Sequence, residues 1–240
     1  MLRVGRCTYD KKNKKNGENG IIFPTYENFT QIKIMTEKYS EYFELSPYVL
    51  TDEYGRIMEN IYQFSKAYEM IKSQEQYASD GTLMWKHPSE IHVDENGNLT
   101  KEYWNWREKG MNNKHFVRYP VGHADRHKCL YALSDVDKTK KLDYVETRKQ
   151  IYISLYIEMA KKTNMFKLLK ERLDNGENLL IIEVDGPHQE SLQYYKDKYN
   201  VDDSFIQNNT MLVTDENISI MLNDTKHPFG HCYCLAMALL

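Results

Sequence analysis

The chain has only 6 prolines and 4 cysteines in 240 residues, no internal repeat, no long linker and no apolar run of membrane-spanning length. Without such a run it is not expected to cross a membrane. Cys7, Cys129, Cys232 and Cys234 lie on a chain with no secretory signal, and Cys232-x-Cys234 has no second pair to complete a four-cysteine zinc site. Free thiols in the cytoplasm are the expected state. Charge of one sign is missing too. A net charge of −3 gives no basic field for tracking along nucleic acid, and leaves room only for a local phosphate pocket. The one basic run, Lys11-Lys12-Asn13-Lys14-Lys15, sits in a Gly/Asn-rich stretch and reads as a solvated, mobile turn.

What the chain does have is tyrosine, 19 residues of it, which packs while offering a hydroxyl and suits a core bordering a polar cleft. The length fits one domain with elaborations. Short extended pieces are expected at Ile21–Pro24 and Gln31–Met35, and a helix from Ile57 to Tyr77. An irregular stretch over 80–130 should follow, then helical pattern from Asp143 to Leu173. Leu179–Val184 reads as a buried strand ended by Asp185-Gly186-Pro187, Ser191–Tyr199 as a helix, Thr210–Thr214 as a strand, Glu216–Leu222 as a helix, and Cys234–Leu240 as a core helix. The sum is a helix-rich α+β domain with a few short strands.

Within the first expected helix, Ile57, Ile61, Phe64, Tyr68 and Ile71 form an apolar stripe, while Glu59, Gln63 and Lys66 follow the same rhythm on another face. A carboxylate, an amide and an amine thus stack about one turn apart, either as a solvated face or as a reactive strip. Elsewhere, Trp85, Trp104 and Trp106 offer rings for packing or for stacking a base. Arg118 and Arg126 offer forks for phosphate or for surface ion pairs. Asp185 stands at the end of a buried strand, a turn former or a cleft carboxylate, with His188 beside it as a donor. His123/His127 and His227/His231 have i,i+4 spacing, but Gly122 and Pro228 break any helix there, so no metal site is expected.

The segment Glu59-Asn60-Ile61-Tyr62-Gln63-Phe64-Ser65-Lys66 resembles the Glu-His-Tyr-Phe-Gln-Ala-Gln-Lys helix of the NADAR (YbiA-like) N-glycosidase family. Leu45-Ser46-Pro47-Tyr48 resembles the Phe-Ser-Asn-Phe that leads into it. Asp224 ahead of Phe229-Gly230 is similar to the family's Asp-x-x-Trp-Gly, two residues longer and with Phe for Trp. Cys234–Leu240 resembles its closing helix, with Ala236 for Gly. Arg148 stands where the family often has Arg. Segments 80–130 and 187–220 have no counterpart in the short members.

The resemblance implies a metal-free, cofactor-free N-glycosidase of the NADAR-like fold. Its substrate class is ADP-ribose on guanine in nucleic acid, or a phosphorylated ribosylamino-pyrimidine metabolite. A non-catalytic reader of ADP-ribose is the alternative. It implies Glu59 and Lys66 as catalytic groups, with Asp185 or Asp224 as the second carboxylate. Ser46, Tyr62, Gln63, Trp85, Trp106, Arg118, Arg148 and His188 would line the substrate. The sequence assigns no oligomeric state.

Overall fold

The computed structural model describes residues 1–9, 20–34 and 41–240. The basic run at Lys11–Lys15 and the end of the piece expected at Gln31–Met35 lie outside the described residues. The fold is mixed α+β, as expected, and its described residues fall into two compact units, Met1–Ser46 with Tyr156–Leu240, and Pro47–Leu155.

The first unit opens with β1 (Leu2–Arg6), β2 (Thr8–Tyr9), β3 (Ile21–Ile22) and β4 (Thr30–Lys33). The chain then builds the second unit: α1 (Met58–Phe64), β5 (Lys66–Ala67), β6 (Met70–Ile71), the hairpin β7 (Gln74–Tyr77) and β8 (Leu83–His87), β9 (Glu90–Ile91), α2 (Lys101–Met111), β10 (Tyr131–Ala132) and α3 (Tyr144–Thr147). A π-helical stretch, Arg148–Ile153, precedes α4 (Ser154–Ala160), within which the division falls. The first unit then resumes with α5 (Asn164–Asp174), β11 (Leu179–Glu183), α6 (Leu192–Tyr199), β12 (Thr210–Leu212), α7 (Asp215–Asn223) and α8 (His231–Leu239).

In the first unit the sheet order is β12-β1-β11-β4, with β1 and β4 parallel to β11 and β12 antiparallel to β1. Every residue of β11 is buried. Alternation sends Leu180 and Ile182 into a cluster with Cys7, Phe23 and Phe29, and puts Glu183 on the other set, where it meets α8. The strand β1 has no counterpart among the expected elements. It is short, and Arg3 interrupts its apolar pattern; that arginine is buried because its Nε donates to Thr210 Oγ1 at 2.9 Å.

Three expectations for the second unit are corrected. The helix expected from Ile57 to Tyr77 ends at Phe64, because Ser65 turns its hydroxyl back onto the Tyr62 carbonyl (2.7 Å) and its own carbonyl accepts from Leu133 N–H (2.9 Å). The chain then pairs as β5 with β10. Tyr68 and Ile71 are still buried, but from extended backbone. Residues 80–130 are irregular only in part, chiefly over 112–130: in α2 Thr100 supplies the cap by accepting from Tyr103 N–H, and Tyr103, Trp106, Arg107 and Gly110 form the buried stripe. Finally, the helical region after Asp143 is interrupted by the π-helical turns and by a break before α5.

α1 and α2 pack through aromatic rings. Phe64 lies 4.8 Å from Trp85 and 4.6 Å from Trp106, and Gly110 is the close-approach point, since a Cβ there would sit 2.1 Å from the Phe64 ring. The buried Arg107 donates to the Phe64 carbonyl (3.2 Å), satisfying an end group of α1, and pairs with Asp135 at 2.7 Å.

Candidate active site

The second unit holds the strip expected from the sequence. Gln63 Nε2 donates to Glu59 Oε1 at 2.8 Å, and Lys66 Nζ donates to Gln63 Oε1 at 3.0 Å. The amide thus bridges carboxylate and amine. Glu59 and Gln63 are buried, so this is not a solvated face. Lys66 reaches Gln63 from β5, one residue past the helix cap, and its ammonium lies 3.9 Å from the Tyr62 ring centroid. Burial pulls the Lys66 amine below the ordinary lysine range, against the opposing charges of Cys129 and Glu59. Burial likewise pushes the Tyr62 phenol well up, so Tyr62 stays protonated.

Arg148 belongs to the same unit, at the start of the π-helical stretch. It is 2% exposed, and its guanidinium donates to Tyr144 Oη at 2.8 Å while lying over that ring. A π-turn displaces one side chain from the regular helical path and is common at functional sites. The Tyr62 and Tyr152 rings meet at 4.6 Å. Arg118 is exposed, with its guanidinium 5.6 Å from the Tyr48 ring and 5.3 Å from the Tyr119 ring. Tyr119 itself is held in the left-handed region (φ 49°).

The loop carrying Arg118 is tied to α1 by a residue the sequence reading passed over. Asn60, fully buried, donates to the carbonyls of Asn113 and His115 and accepts from Val117 N–H. Its place inside the motif was the available signal.

Trp85 and Trp106 are corrected. At 2% and 3% exposed they are packed against Phe64 behind α1 and present no open stacking face. They support the strip rather than line a substrate.

The remaining expected residues belong to the first unit. Ser46 is buried. Asp185 is exposed, with its N–H directed to Glu183 Oε1 at 3.4 Å. The buried carboxylate at that strand end is Glu183, two residues before Asp185. Its Oε2 accepts from Cys232 N–H at the start of α8 (3.1 Å) and lies 3.3 Å from His231 Nδ1. Burial would raise its pKa; His231 and the N–H groups of Cys232, Asp185 and Val184 outweigh burial and lower it. Glu183, His231 and Cys232 place one ligand-type atom each within 4.8 Å of one another, the only such trio among the described residues. Burial holds the Cys232 thiol well above its usual range.

His188 caps the short turn before α6, its Nδ1 accepting from Glu190 N–H at 3.1 Å, and lines a cavity of about 370 Å³ with Arg6, Cys7 and Asn209. Asp224 is fully buried. It accepts from Tyr194 Oη (2.6 Å), Tyr195 Oη (3.0 Å) and His227 Nδ1 (2.6 Å). Burial alone would raise its pKa, but these donors hold it well below the carboxylate range, as a permanent anion.

Comparison with family models, with curated proteins and with solved structures found no match to this chain.

Proposed function

We propose that this protein hydrolyses the N-glycosidic bond of an ADP-ribose or ribosyl-phosphate conjugate, with ADP-ribose on guanine in DNA as the favoured substrate. The observation that carries the reading is the Glu59–Gln63–Lys66 chain of hydrogen bonds, buried at one end and closed by an amine whose pKa burial lowers. Breaking an N-glycosidic bond leaves positive charge on the sugar, which a fixed carboxylate stabilises. Glu59 is that group here, and it takes the proton of the attacking water.

Lys66 serves a second route. A lowered pKa raises the share of free amine, which adds to C1 of the ring-opened N-glycoside; the C1–N bond to the base then breaks, the base leaves with a proton, and water hydrolyses the resulting lysine imine to return the amine and the free sugar. Gln63 keeps carboxylate and amine in register. Arg118, exposed between two tyrosine rings, is the phosphate contact in this scheme.

The test is base release from guanine-ADP-ribosylated DNA, read by mass spectrometry, for wild type, Glu59→Gln and Lys66→Ala. Release lost in both variants supports the assignment, and borohydride trapping of a sugar adduct on Lys66 selects the imine route. Release that survives both changes overturns it. If neither this substrate nor a ribosylamino-pyrimidine phosphate is cleaved while ADP-ribose still binds, the protein is a reader.

A further inference from the structure

In the first unit the imidazole held by Asp224 has a second partner. Ser191 Oγ lies 3.1 Å from His227 Nε2, while His227 Nδ1 lies 2.6 Å from Asp224 Oδ2. The geometry points to a serine–histidine–aspartate nucleophile, with Ser191 attacking the carbonyl of a carboxylic ester.

Each link has a physical cause. Asp224 is ionised and accepts only, so the short contact puts a proton on Nδ1, which also lies 3.0 Å from Tyr195 Oη, and Nε2 faces the serine hydroxyl. The ring cannot swing. Tyr194 and Tyr195 flank it at 5.0 and 5.2 Å between centroids, and backbone N–H groups of Lys226 and His227 bind the same carboxylate at 3.2 Å. Asp224 is therefore a positioning residue, and His227 the base.

Ser191 occupies the N-cap position of α6, where a serine hydroxyl ordinarily accepts from an N–H of the first turn. Its side chain makes no such bond. The hydroxyl is given to the histidine instead, and both Ser191 and His227 are half-buried, within reach of solvent.

The substrate class follows from the nucleophile, since a serine Oγ backed by a histidine base attacks an acyl carbonyl. Residues 188–190, immediately before Ser191, line the cavity of about 370 Å³ together with Arg6, Thr8 and Asn209. In the reaction Oγ bonds to the carbonyl carbon as its proton passes to Nε2. The C–O bond to the alcohol then breaks, and the departing oxygen takes that proton. Water repeats the sequence on the acyl-serine, releasing the acid and restoring Oγ–H; no oxidant or reductant is involved.

The test uses the full chain and a fluorophosphonate probe, which forms an Oγ–P bond and loses fluoride. Peptide mass spectrometry should place the label on Ser191. Labelling should vanish in Ser191→Ala and fall by about 100-fold or more in His227→Gln. Asp224→Asn should lower the rate and change its pH profile, an effect that a merely structural carboxylate would not produce. Melting curves for Ser191→Ala and His227→Gln, expected to match the wild type, separate loss of chemistry from loss of fold. Ser191 labelled no faster than other serines in the wild type, or at the same rate in folded His227→Gln, overturns the proposal.

Discussion

Lys66 is a residue whose chemistry and whose stability effect oppose one another. Its amine is depressed below the usual 10.5, so folding disfavours the charged form. Between the folded pKa and 10.5 the unfolded chain holds a proton that the native protein does not. Stability from this group therefore rises with pH across that window, and the full penalty applies below it. Urea midpoints measured at pH 7 and 9.5 should increase with pH in the wild type, and Lys66→Met should flatten the slope. Lys66→Met should also be no less stable at pH 7, although it abolishes base release under the proposed function. The strip itself was legible, because its three polar residues repeat at helical spacing. Glu183 was not, because a glutamate at the end of an apolar run looks like the first surface residue until α8 is seen to need an anion at its start.

At the scale of elements, the joint between α1 and α2 is the most demanding. Gly110→Ala would drive a methyl into the Phe64 ring at 2.1 Å, and overpacking of this kind costs about 1–3 kcal/mol. Chemical denaturation should show that loss, and Phe64→Leu in the same background should recover part of it. Strands and helices of the first unit from Leu179 onward were readable, since each buries its own apolar run between clear turn residues. The second unit was less so. Ser65 ends α1 through a bond to its own backbone, and the apolar spacing of Tyr68 and Ile71 continues past that break as if the helix did. In α2 the cap and stripe were present, but the tryptophans, charges and glycine mixed into it hid the period. The π-helical stretch has no signature in spacing, because it inserts a residue into an otherwise helical pattern.

The whole molecule should be acid-labile, with sensitive groups in both units. His92 is completely buried, its nearest carboxylate oxygen is 3.6 Å away, too far for a hydrogen bond, and burial lowers its pKa from 6.5 to about 4. Below 6.5 the unfolded chain takes a proton that the native ring refuses, so stability falls from pH 6.5 to about 4. Glu183, with a folded pKa lowered from 4.5, extends the loss below that value. Acid titration of the urea midpoint should show the decline, and His92→Phe should remove its upper part.

The order of elements carries a different consequence. The second unit is one unbroken stretch, Pro47–Leu155, whereas β1 must wait for β11 and β12, some 180 to 210 positions later. On a ribosome the inserted stretch emerges complete long before the sheet can close, and long-range pairing is slow in its own right. Pulse-labelled hydrogen exchange during refolding should find α1 and α2 protected before β1, and a leader strand left waiting on the growing chain is the place where a chaperone would be needed.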